Sequence, residues 1–191
     1  MKTLYKIEEL PGRRKCAVFR VSTDRGDQFL CTESESDMMS VVEVDSAYFL
    51  ELWRNDNDEA HRHVSQGSPE TWVNDRKFHY AEDGFSCGES NPVPLAYVTC
   101  EVRNEVNHVW QRRFLFFREY MGQQVTKRIP YVGFIDGITR TIWLLTYGVK
   151  CFPVMCRTSD ADLLQLMAGF PECKSLTLKE LLAQNQNSIN C

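Results

Sequence analysis

The chain has 191 residues, 43% hydrophobic and 12% aromatic, enough to bury one substantial core as a single domain. Its net charge of −4 is unevenly spread: residues 1–95 hold 11 Lys/Arg against 18 Asp/Glu, whereas residues 96–191 hold 11 against 8. An anionic partner is therefore expected at the C-terminal half, and no uncharged apolar run is long enough to span a bilayer, so a soluble protein is expected.

The eight cysteines contain no C-x-x-C pair, and most lie in apolar segments such as KCAVF and CFPVMC. The opening MKTLYKIEELPGRRK has no apolar signal-peptide core. Both features predict reduced, buried thiols in a cytosolic protein.

In chain order, KCAVFRV (15–21) and DQFLC (27–31) predict two strands around the polar turn STDRGD. The acidic ESESD predicts a solvated loop. Asp45-Ser46 is placed to cap a short helix, AYFLELWRN, with Tyr48, Phe49 and Leu52 on one side. Residues 55–90 are polar and punctuated by Gly67, Pro69, Gly84 and Gly88; they predict long loops with short elements around TWV and KFHY.

The C-terminal half is more regular. NPVPLAYVTCEV (91–102) predicts a turn feeding a strand, and VWQRRFLFFREY (109–120) fits helix or strand. IPYVGFID (129–136) predicts a strand. ITRTIWLLTY (138–147) predicts a helix with Ile138, Ile142 and Leu145 on one face and Gly148 as its stop. CFPVMC (151–156) is the next strand, Ser159 or Asp160 caps DLLQLMAG, and Ser175 or Thr177 starts a last helix through LKELLA. The tail QNQNSINC is expected to fray. Strand, helix and strand in this order predict a mixed α/β fold.

The joint Asp136-Gly137-Ile138-Thr139-Arg140 combines an acid, a glycine and a base between a strand and a helix. Gly137 permits a tight turn and close approach to the backbone. A helix N-terminus has unpaired N–H groups and a positive dipole end, which attract an anion. Arg140 opposes that dipole, so a phosphate-binding task would explain its position. Thr139 adds a hydroxyl, and Asp136 could hold a divalent cation or orient water. On spacing alone a second reading stays open, in which Asp136 caps the helix and pairs with Arg140.

Other constellations are weaker. No G-x-x-x-x-G-K-[ST] occurs, which excludes a P-loop ATPase at motif level. His61, His63, His79 and Cys87 fit no common zinc spacing. Cys151 and Cys156 should point to opposite faces of a strand. Cys100 with His108 has no supporting spacing for catalysis. Arg112, Arg113 and Arg118 are interleaved with aromatics, and Lys127 and Arg128 follow. These five are candidate DNA contacts, with Phe114, Phe116 and Phe117 either core or base-stacking residues.

FIDGITRTIWLLTYGVKCFPVMC (134–156) resembles the centre of the ParB/sulfiredoxin superfamily: strand, G-x-x-R turn, helix, glycine, Pro-Val strand. VPLAYV (93–98) is similar to its opening strand. This resemblance covers about residues 92–157, roughly a third of the chain, with residues 1–91 expected to pack on it. Within the superfamily the chain resembles the plasmid fertility inhibition factors. The resemblance implies a ParB/sulfiredoxin-like single domain in the bacterial cytoplasm, or peripheral at an inner-membrane secretion channel. It implies suppression of conjugative or T-DNA transfer through a type IV secretion system, with ATP hydrolysis and DNA cleavage dependent on a divalent cation, Mg2+. In that scheme Gly137, Thr139 and Arg140 take phosphate, Asp136 and Arg140 are catalytic, and Asp136 holds the metal. DNA and a relaxase–DNA complex or coupling protein are the implied partners. Ile138 stands where sulfiredoxin has its reactive cysteine, which argues against sulfinate reduction. Thr139 stands where ParB has a second arginine, which puts a CTP clamp in doubt. A rival reading is a non-enzymatic module that blocks the relaxase or coupling protein.

Overall fold

The N-terminal apolar segments build an antiparallel meander of β1 (Leu4–Glu9), β2 (Lys15–Thr23) and β3 (Gly26–Cys31). The computed structural model describes residues 1–9, 15–33, 36–113 and 118–183. Gly26, at φ 92°, closes the two-residue turn between β2 and β3, a backbone that favours glycine. The predicted frayed tail and Phe114, Phe116 and Phe117 lie outside the described residues.

β4 (Met39–Asp45) follows, and six of its seven residues are buried. Sequence pattern alone predicts no element there, nor at β1. Asp45 caps α1 (Ser46–Arg54): its Oδ1 accepts from the N–H of Ala47 at 2.9 Å and of Tyr48 at 3.1 Å. The helix buries Phe49, Leu52 and Trp53, whereas Tyr48 is 58% exposed, so Trp53 takes the core position expected of Tyr48.

Residues 55–90 are more ordered than expected. They contain α2 (Arg62–Ser65), α3 (Pro69–Trp72), α4 (Phe78–Ser86) and a 3-10 turn at Gly88–Ser90. Each helix presents only one to three apolar side chains to the core, too few for visible periodicity. Those few (Val64, Trp72, Phe78, Ala81, Phe85) are all buried.

After β5 (Val93–Pro94) come the two longest strands, β6 (Ala96–Arg112) and β7 (Arg118–Asp136), then α5 (Ile138–Thr146), β8 (Cys151–Arg157), α6 (Thr158–Ala168), β9 (Leu176–Thr177) and α7 (Leu178–Ala183). Residues 109–112 and 118–120 are strand, which settles the helix-or-strand ambiguity for those positions. α6 begins one residue before Ser159 with no side-chain cap, and Asp160 instead accepts from the Cys100 N–H at 3.4 Å. Thr177 and Glu180 cap α7 reciprocally, with Thr177 N–H to Glu180 Oε2 at 2.9 Å and Glu180 N–H to Thr177 Oγ1 at 3.2 Å.

Two sheets result among the described residues, ordered β1-β2-β3-β5 and β7-β6-β8-β4-β9. β8 runs parallel to β6 and antiparallel to β4, so the second sheet is mixed and the fold is α/β. Phe49 meets Phe152 edge-on with centroids 5.3 Å apart, and Trp53 meets Phe134 at 4.8 Å, tying α1 to the sheet.

Glu43 is fully buried in β4 and fastens the N-terminus to this sheet. It accepts from Lys2 N–H at 2.8 Å, Thr3 N–H at 2.6 Å and Thr3 Oγ1 at 2.5 Å. Burial pushes its pKa up, but hydrogen bonds from Cys173, Thr3 and the backbone of Thr3 and Lys2 outweigh it and hold the carboxyl below its ordinary 4.5. A depressed folded-state pKa contributes stability above the unfolded value and loses it as pH falls through the folded one. Glu43→Ala is expected to cost about 3 kcal/mol at neutral pH in urea unfolding. The gap between wild type and variant should narrow as the pH is lowered below 4.5.

A candidate phosphate site at the β7–α5 joint

β7 ends on Asp136, and Gly137 serves as the N-cap of α5 at φ 97°, in the left-handed region. The glycine was expected to let a ligand approach. Its immediate constraint is internal: a Cβ there would lie 2.7 Å from Ala96 Cα and 2.8 Å from Ala96 Cβ on β6. No side chain caps α5. Its first main-chain bond is Thr141 N–H to Gly137 O at 3.0 Å, so the leading N–H groups are left for solvent or a ligand.

Arg140 Nη2 donates to Asp136 Oδ2. Asp136 therefore pairs with the arginine and does not cap the helix. Arg140 is mostly buried while Asp136 stays 71% exposed, so the pair is open to water on the carboxylate side and easily exchanged. Arg140 Nε is buried with no hydrogen-bond partner. Thr139 is half-buried beside them.

Asp136, Gly137, Thr139 and Arg140 all line one cleft of about 1130 Å³. The helical segment 60–84 also lines it, with Arg76, Lys77, His61, His63 and Tyr80. No motif in the sequence marks these residues as part of the site. The adjacent Arg76-Lys77 pair was visible, but nothing in a polar segment without periodicity shows which way it folds. The segment is held behind α5 by aromatic packing: Phe85 stacks on Trp143 at 4.4 Å, and Phe78 and Trp143 both contact Tyr147.

A resident metal does not fit this donor set. Asp136 is a single carboxylate already shared with Arg140, and no group of three His, Cys, Asp or Glu is gathered among the described residues. His61 is tied to Asp58 at 2.6 Å. Three of the thiols are held in the protonated, poorly nucleophilic form. Burial pushes Cys100, Cys151 and Cys156 up to about 12, helped by the charge of Asp160 at Cys100 and Cys156 and of Glu43 at Cys151. Cys100 and His108 lie eight residues apart along β6, far out of contact.

The basic candidates sit elsewhere. Arg112, Arg118, Lys127 and Arg128 are on the outer parts of β6 and β7, Arg113 directly follows β6, and the structure does not bring them to the cleft.

The fold matches a solved structure, "Crystal structure of Oncogenic Suppression Activity Protein - A Plasmid Fertility Inhibition Factor, Gold (I) Cyanide derivative", with a TM-score of 0.69. The two sequences are 22% identical, and the match covers 97% of this chain and 86% of that one. A family model described as plasmid fertility inhibition factor matches residues 41–169, and the chain belongs to that family. No curated protein matches it. The matched span includes the cleft, the β7–α5 joint and the β6–β7 hairpin.

Gly137→Ala is expected to lower stability by roughly 3 kcal/mol, because it combines backbone strain with a clash against β6. Asp136→Asn, which only loosens an exposed ion pair, should cost less than about 1 kcal/mol. Urea unfolding of both variants checks the contrast. Native alkylation at pH 8 should label the exposed Cys87 and spare Cys100 and Cys156, as read by peptide mass spectrometry.

Proposed function

We propose that this fertility inhibition factor suppresses conjugative and T-DNA transfer through a type IV secretion route by binding and hydrolysing ATP in the cleft at Gly137 and by cutting DNA. The observation that carries the reading is the uncapped N-terminus of α5, with Arg140 in its first turn and Arg76 and Lys77 lining the same cleft. Main-chain N–H groups, Thr139 and Arg140 would hold phosphate oxygens, as helix N-termini with a guanidinium do. Where phosphate displaces Asp136 from the Arg140 guanidinium, the freed carboxylate would orient an attacking water. Mg2+ has no site of its own here and would have to arrive with the phosphates, so no step is assigned to it. The proposed setting is the bacterial cytoplasm at the secretion channel, with a relaxase–DNA complex or coupling protein as partner.

One observation favours the non-enzymatic alternative. The Asp136–Arg140 pair already balances the charge of the joint, as a purely structural turn would.

ATP hydrolysis and plasmid nicking with Mg2+, measured beside mating frequency, separate the two readings. Arg140→Ala should lose about a hundredfold in hydrolysis and relieve the block to transfer while remaining folded. Asp136→Asn should lose nicking and retain nucleotide. An Arg140→Ala protein that still blocks mating would establish the steric alternative.

A further inference from the structure

β6 and β7 continue well past the domain they belong to. Residues 104–112 and 118–128 are exposed apart from Gly122, so the pair forms a free two-stranded ribbon. From the pair Asn104–Arg128 to the pair Arg112–Arg118 is eight residues, about 27 Å at ~3.4 Å per residue. A two-stranded ribbon has little stability of its own, and one this long is suited to being covered.

Its two faces differ in charge. Following the register, with one extra residue on β7 at Thr126 and another at Met121, one face carries His108, Trp110, Arg112, Arg118, Tyr120 and Arg128. Side-chain geometry agrees: the Tyr120 ring lies 5.2 Å from that of Trp110 and 5.7 Å from that of His108. Every carboxylate of the ribbon is on the opposite face. There Glu101 accepts from Tyr131 at 2.8 Å, Glu105 is paired across the strands with Lys127, and Glu119 binds Arg113 at 2.7 Å. Trp110 is 56% exposed and Tyr120 46%.

We infer that the acid-free face of the β6–β7 ribbon is a platform for single-stranded nucleic acid, with Arg112, Arg118 and Arg128 on the phosphates and Trp110 and Tyr120 stacking on bases. Two arginines at the tip, two exposed rings next to them and a third arginine at the base of the face match a flexible polyanion whose bases are unpaired. A second copy of this chain is a poor occupant, because the face would set arginines against arginines with no carboxylate between them. The inference rests on the reading that the chain acts on DNA, and it places strand binding away from the cleft. It also removes Arg113 and Lys127 from the binding set.

The test is fluorescence anisotropy of a labelled 20-mer oligo-dT with the full chain across a salt series. Three variants share this assay: Trp110→Ala/Tyr120→Ala, Arg112→Ala/Arg118→Ala/Arg128→Ala, and, on the opposite face, Arg113→Ala/Lys127→Ala. The ring variant should weaken binding at least tenfold. The triple variant should flatten the log K against log salt slope by about 2, since each phosphate no longer neutralised takes away ~0.7. The opposite-face variant should change binding less than threefold. Arg140→Ala should keep oligonucleotide binding, and so would a wild type that binds the 20-mer but hydrolyses no ATP; either result supports the ribbon while the cleft reading falls or stands separately. Undiminished binding by both ribbon variants would overturn the inference. So would loss of binding through Arg140→Ala alone, or competition by phosphatidylglycerol vesicles at equal phosphate, which would mark a lipid-facing surface instead.

Discussion

The close packing of Gly137 on Ala96 governs how the rest of the chain is arranged. β7 lies on the outer side of β6, and the next strand of the sheet, β8, lies on the inner side. The chain must therefore turn at the end of β7, cross β6 and return. It does so through α5, whose first residue leaves a glycine that touches β6 directly. A side chain at that point would push the helix off the sheet, and with it Ile142 and Leu144, which are buried beneath it. The same left-handed turn leaves α5 without a side-chain cap and points its N-terminus at the cleft. Packing demand and an uncapped helix N-terminus thus come from one backbone geometry, so a turn required for folding is also free to act as the site proposed above.

The helical segment 60–84 depends on that crossover as well. Trp143 and Tyr147 of the α5 region are the surface on which Phe78 and Phe85 settle, and Arg76 and Lys77 line the same cleft as Arg140. The cleft is lined by the cations Arg76, Lys77 and Arg140 and by the carboxylates Asp75 and Asp136. Asp136 neutralises Arg140 and reduces the cost of a cation in the first turn of a helix. In the proposed function, phosphate takes over that neutralising role.

Positive charge is gathered a second time on the ribbon, by a different device. In the cleft, cations from distant parts of the chain converge through helix packing. On the ribbon, strand alternation sorts neighbouring residues, sending Arg112, Arg118 and Arg128 to one face and Glu101, Glu105 and Glu119 to the other. The family identity covers both features, since residues 41–169 include the cleft and the hairpin.

The sequence by itself determined the elements whose signals are local. Asp45 before α1, Gly148 at φ 72° after α5, the Thr177–Glu180 box and the Asp-Gly-x-x-Arg turn all act within one helical turn of the chain, so their residues could be read directly. Tertiary structure alone decided the rest. β4 carries a buried glutamate whose partners are 40 residues away, so no local pattern marks it as a central strand. Residues 60–84 fold as helices because α5 supplies their apolar partner, not because their own periodicity demands it. The face on which each arginine of β6 and β7 lies depends on two extra residues in β7, and a register shift is a property of two strands together. Propensity and capping act over three or four residues and are written in order along the chain, whereas burial, register and convergence arise only when distant segments meet.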